Sequence, residues 1–172
     1  MKQTDRNALI AFVVLVIVGF LFALAGSQGE SPASGIPLFG ALVALIFLIQ
    51  WLAFIPAFVR QTERFFDLSG SITYIAVVTI GILYASAVDL RAILLWAVVV
   101  VWAARLGTFL FGRIHRAGKD SRFDDIKPSF LRFLNAWTIQ ALWITLTVGA
   151  ALVAITTSTR RELGVLGVVG LL

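Results

Sequence analysis

Apolar residues in this chain form five long runs that are separated by short polar stretches. The runs cover residues 8–26, 38–59, 71–88, 93–112 and 133–155. Each is close to the length of about 20 residues that a helix needs to cross a bilayer. The pattern therefore predicts an all-α, polytopic transmembrane bundle with five complete spans, forming a single domain over residues 1–172.

A shorter apolar segment follows the fifth run. It covers residues 163–172, directly after Glu162, and is about half the length of a span. Gly164, Gly167 and Gly170 give it the small-residue pattern of a packed membrane helix. We expect a partial sixth span and a C-terminally truncated chain. The alternative is that this segment lies in a protein interface.

The composition excludes an ordinary soluble domain. Of the 172 residues, 60% are hydrophobic and only 13% are charged, against about 25% charged residues in soluble domains. The mean hydropathy is +0.98. A soluble domain of this size has no interior large enough for so much apolar surface. The chain is therefore predicted to be an integral, multi-pass membrane protein in contact with membrane lipids.

The positive charge is distributed as a topology signal. The formal net charge is +5, and most of the 14 Lys and Arg residues lie at the N-terminus or in the connections after the second and fourth runs. This bias predicts that the N-terminus and those connections face the cytoplasm. No basic surface of useful size remains outside the spans, so we expect no nucleic-acid partner.

Several classes of site are excluded by residue type. The chain has no cysteine and one histidine, which rules out disulfides, thiolate chemistry and metal sites rich in Cys or His. It also lacks a P-loop and a Gly-rich dinucleotide fingerprint. We expect no metal, and any nucleotide must be bound by something other than a Rossmann unit.

An arginine inside the fourth run is the first candidate for function. A charge within a span is costly and by default marks a functional site. At about 100° per residue, Arg105, Gly112 and Arg116 fall on one helical face. Because arginine binds phosphate through two parallel hydrogen bonds, this face suits a phosphate-bearing ligand. The alternative is that Arg105 extends to the interface as an ordinary snorkelling side chain.

The polar stretch before the third run offers a second candidate. Asp67 or Ser69 is positioned to cap the third helix, whose backbone N–H groups would then face an anion. Asp67 is also the natural partner for Arg105 or Arg113, since both polar stretches lie on the same predicted side. Ordinary helix capping is the alternative.

The connection after the fourth run combines bases with acids. Gly118 permits a sharp turn, Asp120 offers an acceptor for ribose hydroxyls, and Arg122 offers a cation for a phosphate. A solvated loop needed only for topology is the alternative. However, acids contribute little to that signal.

Polar side chains within the spans are the last candidates. Tyr74 is suited to polarise a carbonyl or donate a proton, although an interfacial aromatic residue is the simpler interpretation. Gln50 and Gln140 lie in the second and fifth runs, where glutamine usually bonds a neighbouring helix.

Four of these segments together resemble a known family. They are Phe-Phe-Asp-Leu-Ser-Gly-Ser at residues 65–71, Trp-Ala-Ala-Arg-Leu-Gly-Thr-Phe-Leu-Phe-Gly-Arg-Ile at 102–114, Gly-Lys-Asp-Ser-Arg-Phe-Asp-Asp at 118–125 and Trp-Thr-Ile-Gln-Ala-Leu-Trp at 137–143. In this order they look like the steroid 5-alpha-reductase-like membrane proteins, and most of all their bacterial branch, the domain of unknown function 1295 group. The resemblance covers roughly residues 60–145.

The resemblance implies a function as well as a helical membrane fold. It implies NADPH bound from the cytoplasm, a lipid-like substrate in an intramembrane cavity, hydride transfer to an activated C=C bond, and a bacterial inner membrane location. By position, the candidate cofactor contacts are Asp67, Arg105, Arg113, Asp120, Arg122 and Gln140.

The same carry-over makes Tyr74 the candidate carbonyl-polarising tyrosine. Gln50 stands in the span where the relatives have a catalytic acid, and this departure puts that role in doubt. Family members also continue with further helices, so the chain is expected to lack part of the cofactor site.

Two other classes of function stay open. A membrane methyltransferase on a related scaffold would use the same kind of cavity. A transporter or lipid-binding protein without catalysis would use the cationic connection to contact anionic headgroups.

Overall fold

The computed structural model describes residues 3–30 and 35–158, together with the single residues 164 and 170. These residues form five α-helices and no strand. The helices are α1 (Gln3–Gly26), α2 (Leu38–Val59), α3 (Phe66–Tyr84), α4 (Leu90–Ala117) and α5 (Phe130–Thr156). Each is long and apolar enough to cross a membrane. The prediction of an all-α bundle with five spans is confirmed.

Two other topological predictions stay open. The proposed partial sixth span, residues 163–172, lies outside the described residues except for Gly164 and Gly170. The cytoplasmic orientation of the N-terminus is likewise still a prediction.

The bounds of α3 and α4 differ from the apolar runs. α3 begins at Phe66, five residues before the third run, and ends at Tyr84. α4 continues past the fourth run to Ala117 and ends at Gly118, whose φ is 81°. Apolarity marks only the lipid-facing length of a helix, whereas backbone hydrogen bonding continues into its polar ends. Asp67 and Ser69 therefore lie inside the first turn of α3, and the predicted capping role is wrong.

The core lies where α2, α3 and α5 meet. Ile46 of α2, Val77 of α3 and Ile144 of α5 are fully or almost fully buried there. α1 packs against α5, and the Asn135 side chain donates a hydrogen bond of 2.8 Å to the carbonyl of Ala8. The last described helix thus contacts the first one directly.

A carboxylate holds the start of α2. Glu30 follows a short 3-10 turn over Ser27–Gly29, and its side chain accepts the backbone N–H of Phe39 at 2.8 Å and that of Leu38. These N–H groups have no partner within the helix, so the carboxylate supplies one.

The outer surface of the bundle is apolar. Large exposed side chains include Phe20, Leu52, Val101 and Trp143, as expected where hydrocarbon surrounds the protein. An open groove of about 430 Å³ runs between α1 and α2 and is lined almost wholly by apolar residues.

Candidate functional site

A cavity of about 400 Å³ lies between α3, α4 and α5. Most of its wall is aromatic or aliphatic. Three residues singled out from the sequence contribute to it, namely Asp67, Tyr74 and Gln140. The fold therefore brings together polar residues that are up to 73 positions apart in the chain, in an otherwise apolar bundle.

A close approach of α3 and α4 shapes one side of the cavity. A Cβ atom added at Gly107 would lie 2.6 Å from the Cβ atom of Ser71, which is too close for any side chain. About one turn further along α3, the rings of Tyr74 and Trp102 meet edge to face with centroids 5.0 Å apart. Glycine at position 107 thus sets the helix spacing that the aromatic pair needs.

The Tyr74 hydroxyl has unused hydrogen-bonding capacity. Tyr74 is 5% exposed, and its Oη atom has no hydrogen-bond partner among the described residues. Its polar neighbour is Thr147, whose hydroxyl donates to the Trp143 carbonyl. A buried hydroxyl without a partner is costly, which is the kind of defect that a bound ligand repairs.

Gln140 links α5 to the start of α3. Its Nε2 atom donates a hydrogen bond of 2.9 Å to the Phe66 carbonyl, and the amide lies against Gly70. Its Oε1 atom is buried without a partner in the described part of the chain. Gln140 therefore combines a structural bond with a free acceptor in the cavity wall.

An ion pair lies at the end of the cavity where α3 begins. The guanidinium of Arg113 is 3.6 Å from the Asp67 carboxylate, and half of the Arg113 side chain is exposed. Arg113 is one of the two partners that the sequence suggested for Asp67. We call this end of the cavity, formed by Asp67 and Arg113, the charged mouth.

A second ion pair lies nearby, on the connection between α4 and α5. Arg122 donates to the Asp120 carboxylate through its Nε atom at 2.9 Å and its backbone N–H at 3.1 Å. The hydrogen bonds from Arg122 outweigh the effect of burial and lower the pKa of Asp120. The Arg122 and Asp120 charges also act on Asp67, and that of Arg113 acts on Asp120. The two pairs therefore form one electrostatic group.

Glu63 joins this group and was missed from the sequence. It lies between α2 and α3, is only 4% exposed, and accepts hydrogen bonds from the Asp120 N–H at 2.7 Å and the Lys127 Nζ at 2.8 Å. Burial acts to raise its pKa, but the bonds from Lys127 and Asp120 outweigh burial, and the pKa of Glu63 is lowered. The one feature of the sequence that points to Glu63 is its position as an acid in a short connection that is otherwise basic.

Arg105 and Arg116 lie elsewhere. Both are exposed on α4, and the Arg105 side chain has no hydrogen bond or ion pair among the residues that the structure describes. Arg105 therefore does not face the interior of the bundle, and its assignment as a cofactor contact stays a prediction. The buried side of α4 contains Ala103 and Gly107, and a residue two positions from each points the opposite way. Small residues four positions apart, here Ala103 and Gly107, are the sequence signal that identifies the packed face of α4.

Gln50 is also separate from the cavity. It is fully buried between α2 and α3, and its Nε2 atom donates to the Thr73 hydroxyl at 2.8 Å. Thr73 points away from the cavity that its neighbour Tyr74 lines. The structure therefore does not bring the two candidate catalytic residues, Tyr74 and Gln50, into one site.

Within the described residues, no group of three or more His, Asp or Glu side chains could hold a metal ion.

A family model described as "Protein of unknown function (DUF1295)" matches residues 53–172. That range contains α3, α4, α5 and every residue of the cavity and its charged mouth. Neither the curated proteins nor the solved structures gave a match.

Proposed function

Since the chain belongs to the DUF1295 family of proteins of unknown function, we propose the function that its resemblance implies and its geometry accommodates: a membrane-embedded, NADPH-dependent reductase of a lipid-like enone. One observation carries the proposal. An apolar cavity large enough for a ring system reaches from Tyr74, inside the bundle, to the charged mouth at Asp67. The resemblance to the steroid 5-alpha-reductase-like membrane proteins supports the same assignment.

The residues of the charged mouth, together with the neighbouring Asp120 and Arg122, fit the polar part of NADPH. Half of the Arg113 side chain and 72% of the Arg122 side chain are exposed, so a phosphate can reach both guanidinium groups. Asp67 and Asp120 offer carboxylate acceptors for ribose hydroxyls. If bound there, NADPH would supply the hydride for the C=C bond, and a proton from solvent would complete the reduction.

Tyr74 is the proposed catalytic residue. Its hydroxyl donates a hydrogen bond to the substrate carbonyl and draws electron density away from the conjugated C=C bond. The apolar wall around it excludes water, which strengthens that hydrogen bond. Gln140 contributes an acceptor in the same wall. In the proposed arrangement the charged mouth faces the cytoplasm, and the substrate enters from the lipid side.

Ligand-dependent stabilisation tests the proposal. The detergent-purified chain is heated with NADPH, NADH or S-adenosylmethionine, and unfolding is followed. A ligand at 100 times its Kd adds about 2.7 kcal/mol of stability. We expect stabilisation by NADPH, and about half of that stabilisation in an Arg113→Ala variant at the same NADPH concentration. Stabilisation by S-adenosylmethionine alone would contradict the reductase and favour a methyltransferase.

A second candidate is a lipid-binding protein without catalysis. The groove of about 430 Å³ between α1 and α2 favours it, because this apolar surface lies outside the cavity. Stabilisation by phospholipid without any effect of NADPH is the result expected for that function.

A further inference from the structure

We propose that Glu63 is a positioning residue: its buried carboxylate fixes the α4–α5 connection so that Asp120 and Arg122 stand beside the charged mouth. The importance of this for ligand binding rests on the function proposed above. The fixing of the connection itself depends only on the geometry of Glu63, which is not one of the residues assigned to the cofactor.

Glu63 holds the connection at two points. One oxygen accepts the backbone N–H of Asp120 at 2.7 Å, and the other accepts the Lys127 ammonium at 2.8 Å. The eight residues 120–127 are therefore bound at both ends to one carboxylate. Arg122, two residues after the first of these two points, is then directed by its bonds to Asp120.

Other residues also contact this segment and its N-terminal flank. Phe123 is buried, with its ring 5.0 Å from Phe66 and 6.1 Å from Phe133. Arg64 donates from outside to the Gly118 carbonyl at 3.2 Å. Phe123 anchors the inner side by apolar contact and by donating its N–H to the Asp120 carbonyl at 3.1 Å, but among the described residues the Asp120 N–H itself is accepted by Glu63. Removing the carboxylate therefore releases the residue that orients Arg122.

The charges around Glu63 make a matched series of variants possible. Lys127 also contacts Asp124 at 3.2 Å, so it keeps an ionic partner when Glu63 is replaced. Glu63→Gln keeps an oxygen for the Asp120 N–H and loses the ion pair, whereas Glu63→Ala loses both. Asp124→Asn is the control, because Asp124 contacts Lys127 and Lys119 but not Asp120.

Hydrogen exchange and NADPH titration of the full chain in detergent test the proposal. In Glu63→Ala, we expect exchange of amides 119–127 to accelerate by about tenfold or more, without change in α2 or α5. The Kd for NADPH should rise about tenfold, which corresponds to about 1.4 kcal/mol. Glu63→Gln should recover most of both effects, and Asp124→Asn should match the parent chain.

The two proposals fail in different ways. Unchanged exchange at 119–127 in Glu63→Ala overturns the role of Glu63, whether or not NADPH binds. Absence of NADPH binding by the parent chain overturns the reductase and leaves the exchange result to decide on Glu63. If Glu63→Ala does not fold, Glu63→Met takes its place, because it fills similar space without an oxygen for the Asp120 N–H or the Lys127 ammonium and must also accelerate exchange in that segment.

Discussion

The amide of Gln140 occupies the space that a side chain at position 70 would fill. A Cβ atom added at Gly70 overlaps the Nε2 atom of Gln140, which is the atom that bonds the Phe66 carbonyl. α3 and α5 are thus joined at the charged mouth by a glycine on one helix and an amide on the other.

Gly70→Ala should therefore change ligand binding more than stability. The Gln140 side chain can rotate away, which costs about 1 kcal/mol for the bond to Phe66, while alanine returns about 0.5–1 kcal/mol of helix propensity. We expect nearly unchanged thermal unfolding and a clearly weaker NADPH affinity. A large loss of thermal stability would show that Gln140 cannot move.

Gly107 and Gly112 should respond in opposite ways to alanine. At Gly107 the new Cβ meets the rigid Cβ of Ser71, whereas nothing lies within 4 Å of a Cβ at Gly112. Gly107→Ala must separate α3 from α4, and we expect it to cost about 2 kcal/mol or more. Gly112→Ala should be neutral or stabilising by up to about 1 kcal/mol. Equal thermal unfolding of the two variants would contradict the described α3–α4 contact.

Gln50→Leu separates a structural from a catalytic role. Its Oε1 atom is buried without a partner in the described chain, and Thr73 keeps its own bond to the Ser69 carbonyl when the amide is removed. We expect the leucine variant to be within about 1 kcal/mol of the parent in stability and equally active in NADPH-dependent enone reduction. Loss of activity in a normally folded variant would make Gln50 catalytic after all.

Arg105→Ala and Arg113→Ala form a matched pair on α4. Arg113 contacts Asp67 at the charged mouth, whereas Arg105 is exposed about two turns earlier on α4. Removing Arg113 should weaken NADPH binding by about tenfold, the usual scale for a charged hydrogen bond. Removing Arg105 should leave the Kd unchanged. The reverse ranking in a titration would place the cofactor on the outer face of α4.

The ion pair of Glu63 predicts how stability depends on pH. The folded chain lowers the pKa of Glu63 below its ordinary value of 4.5, so the ionised form is favoured by folding. This contribution is fully present above that pH and is lost as the pH falls through the lower, folded-state pKa. Lys127, Arg64 and Asp124 are the charged groups around it.

Thermal unfolding between about pH 7 and pH 3 measures this dependence, across the window in which Glu63 titrates. The parent chain should lose stability below pH 4.5, and Glu63→Gln should lose less. Glutamine has nearly the same shape as glutamate but does not ionise, so the difference between the two curves measures the effect of the carboxylate charge. Identical curves for the two proteins would remove the carboxylate as the cause.

The sequence predicted the five helices because the length of an apolar run is itself a physical requirement of the bilayer. It also predicted Arg113 as one of two partners for Asp67, since the polar stretches that contain these charges lie on the same predicted side of the membrane. The sequence did not predict which way the Arg105 side chain points, because that depends on which face of α4 packs against the other helices. That face is set by the contact of Gly107 with Ser71.

The role of Glu63 shows a different limit. Its partners lie 57 and 64 positions further along the chain, and no periodicity connects them. Burial of an acid is also the exception among charged residues. Only the folded arrangement of two polar connections reveals that this carboxylate is an organising group.

The contact between Asn135 and Ala8, which are 127 positions apart, has a consequence for biosynthesis. During translation α1 leaves the ribosome long before α5 exists, so its α5-facing side has no partner for most of synthesis. Closure of the bundle must therefore follow insertion of α5. Ribosome-bound chains that end before residue 130 would leave α1 open to crosslinking with lipid or insertion factors, and longer chains would progressively protect it.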